Sequence, residues 1–414
     1  MNESTEKNST KKPLIFGVST QVIIMGLVSL FTDISSDMIQ SILPLFIFQI
    51  GGTAVILGLI SGVTNAASNI FKGLSGWLSD KINKRKPFVV GGYTISNQSK
   101  PFIGLSPSWE MVLGLKASDR FGKGLRTSSR DALISYYAKE KRGKAFGIHR
   151  AMDTTGAIIG SLLAFLFLFM GLIYREIILI SIVPGIIAII LILLVKDVNP
   201  KELETELELD EKEPKMEKVS KDFVKLIIIL GVIEFASLDL AFLIIRASDY
   251  INASLIFLIP LFYLISNIVY VIFSPINGSL SDKYGRKPII LLGLGILCGS
   301  SIFLAFPVET SMFSLISIIV IYCLFGYYMA SVDPISRAYV ADLAGKTKRG
   351  RAYGLYYLSV GLISFAESLI FGFIYDAFNY TAAFLYGAIM LAICIVIFAK
   401  TDFTRLIGKE KLQD

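Results

Sequence analysis

The chain has 414 residues, of which 54% are hydrophobic and only 18% charged, with a net charge of +7. A soluble domain has about a quarter of its residues charged, so this composition excludes water as the main solvent. Residues 1–12 are polar and carry both signs, with no short apolar core ahead of a small-residue cleavage site, so the first apolar segment is expected to be kept.

Crossing a hydrocarbon core of about 30 Å takes roughly 20 apolar residues. Spans are expected near residues 20–48, 54–78, 88–105, 109–136, 144–170 and 177–195, then 223–247, 253–279, 289–307, 312–341, 352–375 and 381–399. Between the two groups of six, residues 197–222 form a mixed-charge linker. This gives a first half over 1–196, a second over 223–400 and a tail over 401–414. One set of alternate loops, with the tail, collects the basic residues, among them Lys81, Lys84, Arg142, Lys283, Lys346, Arg349 and Lys409; the other set holds only Arg175. Basic loops stay in the cytoplasm. Both termini and the linker are thereby expected there, and the positive charge needs no nucleic acid.

An ionisable group inside a span costs about 2.5–3.5 kcal/mol on insertion scales and marks function by default. The first span carries Asp33, Ser36, Asp37 and Gln40 within an arc of roughly 100°. Asp33 and Asp37, four residues apart, could hold one proton between them, because like charges that close resist ionising together. At the end of the second span GWLSDKINKRKP (Gly76–Pro87) returns as GSLSDKYGRKP (Gly278–Pro288), 202 residues on. A second pair, SRDALISYYAKEKRGKAFG from Ser129 and SRAYVADLAGKTKRGRAYG from Ser336, repeats at nearly the same offset. The chain is one unit built twice.

On the fourth span Lys116, Arg120, Lys123, Arg126 and Arg130 lie within roughly 120° of one another, with Asp119 beside them. Such a stripe must face a cavity, a carboxylate or an anionic ligand. Asp33 and Asp37 are the expected counter-charges, with Asp131 and Asp153 behind them. A structural role, in which these pairs only hold the half together, competes with a transport role. On the fifth span His149 shares a face with Asp153 and Gly156 and is read as a satisfied hydrogen bonder rather than a pH sensor. In the second half Glu234, Asp239 and Arg246 lie on the seventh span, Asp333 and Arg337 on the tenth and Glu367 on the eleventh. Asp333 and Arg337 are i,i+4 neighbours, and Arg337 is the repeat-mate of Arg130. Glu367 has no basic neighbour in sequence; a buried carboxyl without a counter-charge costs least when neutral, which makes it the second candidate proton carrier. The aromatics Phe262, Tyr263, Tyr270, Tyr322, Tyr327 and Tyr328 are read as packing before binding. Cys298, Cys323 and Cys394 lie inside spans without metal-ligand spacing.

The doubled loop string, the six-plus-six layout and the long middle loop resemble the major facilitator superfamily over about Gly17 to Ala399. The resemblance implies an all-α membrane fold of 12 helices in two six-helix halves. It also implies gating roles for Gly76, Asp80, Arg85 and Lys86, and for Gly278, Asp282 and Arg286 in the second copy, which would lock the halves together at the cytoplasmic end. Asp80 would meet the start of the eleventh span near Arg351, and Arg130 and Arg337 would make symmetric gate contacts. Arg120 and Gly124 match the R-x-x-x-G pattern of the drug/proton antiporter branch, in which the arginine is associated with proton movement, although Lys123 stands where glutamine is usual. Gly147, Gly156 and Gly160 match that branch's glycine spacing, but Ser161 replaces its proline. The strings DRFGKGLRTSSRDALIS and HRAMDTTGAIIGSLLA resemble a prokaryotic branch with no settled substrate.

There is no phosphate-binding Gly-rich loop ending in Lys-Ser or Lys-Thr, no His-Glu-x-x-His and no nucleophile set that one histidine could serve. The expectation is a monomeric secondary transporter, neither enzyme nor cofactor protein, that exports a small solute with proton coupling. Two other readings are import of an organic anion by the basic stripe, and a non-transporting membrane sensor on the same scaffold.

Overall fold

A computed structural model describes residues 14–15, 18–82, 85–138, 142–197, 221–344 and 349–401. The first half holds α1 (Thr20–Gln40), α2 (Leu43–Gln49), α3 (Ala54–Ile82), α4 (Lys86–Phe102), α5 (Trp109–Tyr137), α6 (Arg142–Phe169), α7 (Tyr174–Ile180) and α8 (Ile182–Leu193). The second holds α9 (Lys221–Ala236), α10 (Leu240–Ser248), α11 (Ile259–Tyr284), α12 (Arg286–Ala305), α13 (Met312–Ala344), α14 (Arg349–Ala377) and α15 (Tyr380–Lys400). Among the described residues 10 helical stretches are long and apolar enough to cross a bilayer. The helices α4 and α5 fall outside that number because they carry the polar side chains. They pack on each other and on α3 and α8 within the bundle, which is consistent with twelve crossings. Large apolar side chains such as Ile186, Ile190, Phe373 and Ile389 stand exposed, as expected of a surface solvated by lipid.

Three expected spans are not continuous. The first breaks at Ser41 and Ile42, where Pro44 opens α2 and cannot donate a backbone hydrogen bond to the turn before it. The seventh breaks over residues 237–239, and the Asp239 carboxylate caps α10 by accepting from the Ala241 amide at 2.8 Å. These two helices open the two halves, so the discontinuity is itself repeated. The sixth span also divides, at Ser181 between α7 and α8.

The halves meet along α3 and α14 and along α6 and α11. At Gly58 an added Cβ would lie 2.1 Å from the Ser368 carbonyl oxygen, and at Gly372 2.4 Å from that of Ala54; only glycine permits this approach. At the same end of the bundle the Asp376 carboxylate accepts from the Ala54 and Val55 amides (3.0 and 2.8 Å), so a residue of α14 caps α3 across the two halves. Phe165 and Phe169 of α6 pack on Phe257 beside it, at 5.9 and 5.4 Å between ring centroids. Loss of a capping carboxylate costs about 0.5–2 kcal/mol. The Asp376→Ala variant is therefore expected to unfold earlier on heating in detergent, and Asp376→Asn, which keeps one acceptor oxygen, to fall between it and the wild type.

At the opposite end lie the repeated basic strings. Lys86 Nζ donates to the Leu193 carbonyl (3.1 Å) at the end of α8, and Lys287 Nζ to the Ala399 and Thr401 carbonyls (2.7 and 2.9 Å) at the end of α15. Repeat-mates thus cap the last helix of their own halves, where the dipole favours a cation. Arg286 pairs with Asp282 and reaches Asp342 at 3.0 Å, again within its half. In the described state Lys86, Asp282 and Arg286 thus make these contacts within their own halves. Arg85 takes the N-cap position of α4, and Gly278 has open space where a Cβ would stand. The side chains of Gly76, Asp80 and Arg351 lie outside the described residues, as does nearly all of the expected linker.

Candidate functional site

The breaks in the first and seventh spans face each other across a cavity of about 260 Å³, which Gln40 and Leu43 line from one side and Ser237 to Leu240 from the other. A second cavity of about 210 Å³ adjoins it, sharing Gln40, Lys116, Arg120 and Leu240. Asp33, Asp37, Lys100, Lys123 and Tyr263 line this second space. Discontinuous helices at a buried polar site are how membrane bundles bring backbone and charged groups to a solute.

The α5 stripe splits in two. Lys116 and Arg120 point toward Gln40, whose Oε1 accepts from Lys116 Nζ and Arg120 Nη2 at 3.5 Å each. Their nearest acid is Asp119 on their own helix, at 4.0 Å from Lys116 and 3.8 Å from Arg120, and Asp119 is held by the Ser96 hydroxyl at 2.6 Å. Arg126 and Arg130 line neither cavity. The Arg126 guanidinium stacks on the Tyr93 ring at 4.1 Å. Arg130 pairs with Asp131 at 2.9 Å and donates to Ser29 Oγ at 3.4 Å. His149 is buried and hydrogen-bonded to the same Ser29 at 2.9 Å, the satisfied role expected for it.

Asp33 and Asp37 share the second cavity with Lys123 of the stripe, whereas Lys116 and Arg120 have Asp119, and Arg130 has Asp131, as the acid nearest on their own helix. Asp37 accepts instead from the Tyr263 hydroxyl of α11 at 2.7 Å, across the two halves. Asp33 lies within hydrogen-bonding reach of Asp153 on α6, and Asp153 also pairs with Arg150 at 3.3 Å. Gly156 and Gly160 let α6 approach α1, since a Cβ there would meet the Leu30 and Ile34 carbonyl oxygens at 2.3 and 2.5 Å; Gly147 has open space.

Glu367, only 4% exposed, lines the larger cavity. Its Oε2 accepts from Ser368 Oγ at 2.8 Å, while Oε1 has no hydrogen-bond partner among the described residues. Arg337 is held by Asp333 on its own helix at 2.9 Å, so it and Arg130 are not equivalent in their pairing. Of the aromatics, Phe262 and Tyr322 pack together in the core, whereas Tyr263 and Tyr328 line the cavities and Tyr270 meets Arg150 across the halves at 3.5 Å.

Lys100 escaped the sequence reading. It is 2% exposed and donates to the Thr32 carbonyl and to Asn97 Oδ1 at 3.3 and 3.1 Å. The available signal was a lysine inside a span with an asparagine three residues earlier, one helical turn away. The Tyr263→Phe variant removes the cross-half bond to Asp37 and is expected to cost about 1 kcal/mol, seen as earlier thermal unfolding without loss of the fold.

The sequence model of the Major Facilitator Superfamily matches residues 25–267 and 227–411. An uncharacterised MFS-type transporter of Methanocaldococcus jannaschii is 35% identical over 381 residues, 91% of this chain and 93% of its own. A multi-drug resistance efflux pump, PmrA, of Streptococcus pneumoniae is 33% identical over 155 residues, 36% of either chain. The crystal structure of the nucleoside transporter NupG superposes with a TM-score of 0.75 at 14% identity, over 92% of this chain and all of that one, which speaks to the fold alone. With a twice-built helical bundle, a polar cavity between its halves and a family match over nearly its whole length, the chain belongs to the Major Facilitator Superfamily, a family of membrane transporters and not of enzymes.

Proposed function

We propose that the protein exports a small polar or amphipathic solute across the cytoplasmic membrane in exchange for protons, by alternating access of the cavity between its halves. The observation that carries this reading is the hydrogen bond from Tyr263 to Asp37: a carboxylate lining the cavity of one half accepts a hydroxyl from the other. Protonating Asp37 changes that acceptor, so its charge state and the fit of the halves are linked. Asp33 and Asp153, close enough to share a proton, extend the same acidic path. The partial likeness to an efflux pump supports the outward direction. The basic loops support an orientation with both termini in the cytoplasm, in which the seal of Gly58, Gly372 and Asp376 belongs to the outer face. The protein acts as a monomer of two halves, residues 1–196 and 223–400, joined by a linker over 197–222, with a tail over 401–414.

Import of an organic anion is the second reading, favoured by the long contacts of Lys116 and Arg120, which leave them free to take a ligand. Purified protein in vesicles that contain a pH-sensitive dye separates the two. When solute is added outside, exchange raises the lumenal pH and co-transport lowers it. A non-transporting sensor gives neither signal, and labelled solute does not equilibrate.

A further inference from the structure

The larger cavity is polarised by half. Among the described residues its wall from the first half carries Lys116 and Arg120 and no acid; its wall from the second carries Glu234, Asp239, Asp333 and Glu367 and no base. Several of these charges are poorly matched inside the protein. Lys116, 5% exposed, has Gln40 at 3.5 Å and Asp119 at 4.0 Å, both longer than a charged hydrogen bond. Arg120 Nε and Glu367 Oε1 are buried without a hydrogen-bond partner among the described residues. Asp239 is occupied as a helix cap and Asp333 by Arg337. Basic groups on one wall and acidic groups on the other, incompletely paired within the protein, are matched by a ligand that brings both counter-charges.

We infer that the transported solute is a small zwitterion, its carboxylate or phosphate seated against Lys116 and Arg120 and its ammonium against Glu367 and Glu234. This deepens the proposed function and rests on it. A solute with one charge would leave one wall unmatched, and the site discriminates against it by leaving a buried polar group unpaired. The polarity also orients the solute, which lies across the interface of the two halves and touches both.

The test uses the full-length protein in detergent and reads the shift of its thermal unfolding with matched probe sets. Each set holds an amino acid or dipeptide, its N-acetyl form, which removes the positive charge, and its methyl ester, which removes the negative one. The inference expects at least one zwitterion to stabilise the protein with both blocked forms weakened at least ~10-fold. It further expects Glu367→Gln, which keeps the shape, to bring the N-acetyl form to within a few-fold of the zwitterion, and Arg120→Gln to do the same for the ester. Equal binding of a blocked form to the wild type, or no shift with any zwitterion, overturns the inference. If the vesicle dye assay still finds a singly charged or neutral solute, the transport reading stands without it; if vesicles give no flux and no equilibration of labelled solute, transport itself falls.

Discussion

The Asp37→Asn variant is expected to lose solute-driven proton flux in vesicles, down to the level of protein-free vesicles, while remaining folded and still equilibrating labelled solute. The reasoning separates two roles for one side chain. As a structural group Asp37 accepts the Tyr263 hydroxyl at 2.7 Å, and an asparagine Oδ1 accepts the same hydroxyl. As a proton carrier it must change charge, which an amide cannot. A role limited to holding the halves together therefore predicts near-normal flux in Asp37→Asn and a larger defect in Tyr263→Phe; the proton role predicts the reverse order. The measurement is the dye signal of each variant set against its own labelled-solute exchange. Coupled flux that survives in Asp37→Asn would move the proton site elsewhere, with Glu367 next to be tested by Glu367→Gln.

The Gly58→Ala variant should shift the protein away from the described state. The added methyl would stand 2.1 Å from the Ser368 carbonyl oxygen, and backbone cannot swing aside as a side chain can. Forcing a methyl group into such packing costs about 1–3 kcal/mol, a change of roughly 5- to 150-fold in a two-state equilibrium. Because the described state brings α3 and α14 this close, the variant is expected to favour a state open at that end and to transport more slowly. A Ser364→Cys reporter in the cavity, with Cys298, Cys323 and Cys394 replaced by alanine, reads the shift. Faster labelling by an impermeant thiol reagent from the Asp376 end is the expected outcome; unchanged labelling means that the α3 and α14 contact does not open during transport.

The bundle was legible in the sequence because lipid imposes long apolar segments and because the loop strings recur. Charge placement was legible too: Asp33, Asp37, Gln40, Lys116, Arg120, Lys123 and Glu367 all line the cavities. Pairing was not. Asp37 and Tyr263 are 226 residues apart and Asp376 and Ala54 322 apart, and no local pattern announces contacts at that range. Local pairs were available but outweighed: the i,i+3 spacing of Lys116 and Asp119 already offers the base a partner on its own helix. The break of the seventh span left a trace in Ser237 and Asp239, cap-forming residues inside an apolar run, which continuous hydropathy conceals. Lys86 reads as a gate residue by resemblance, yet the carbonyl at the end of α8 claims it.

The most direct test of the whole account is whether a proton gradient alone moves solute uphill. Vesicles with an acidic lumen and equal labelled solute on both sides are followed over time, using the solute that gives the strongest dye signal. The account predicts accumulation above the outside concentration, collapse of that accumulation when the gradient is dissipated, and none with Asp37→Asn. Equal label on both sides with the gradient in place would contradict it.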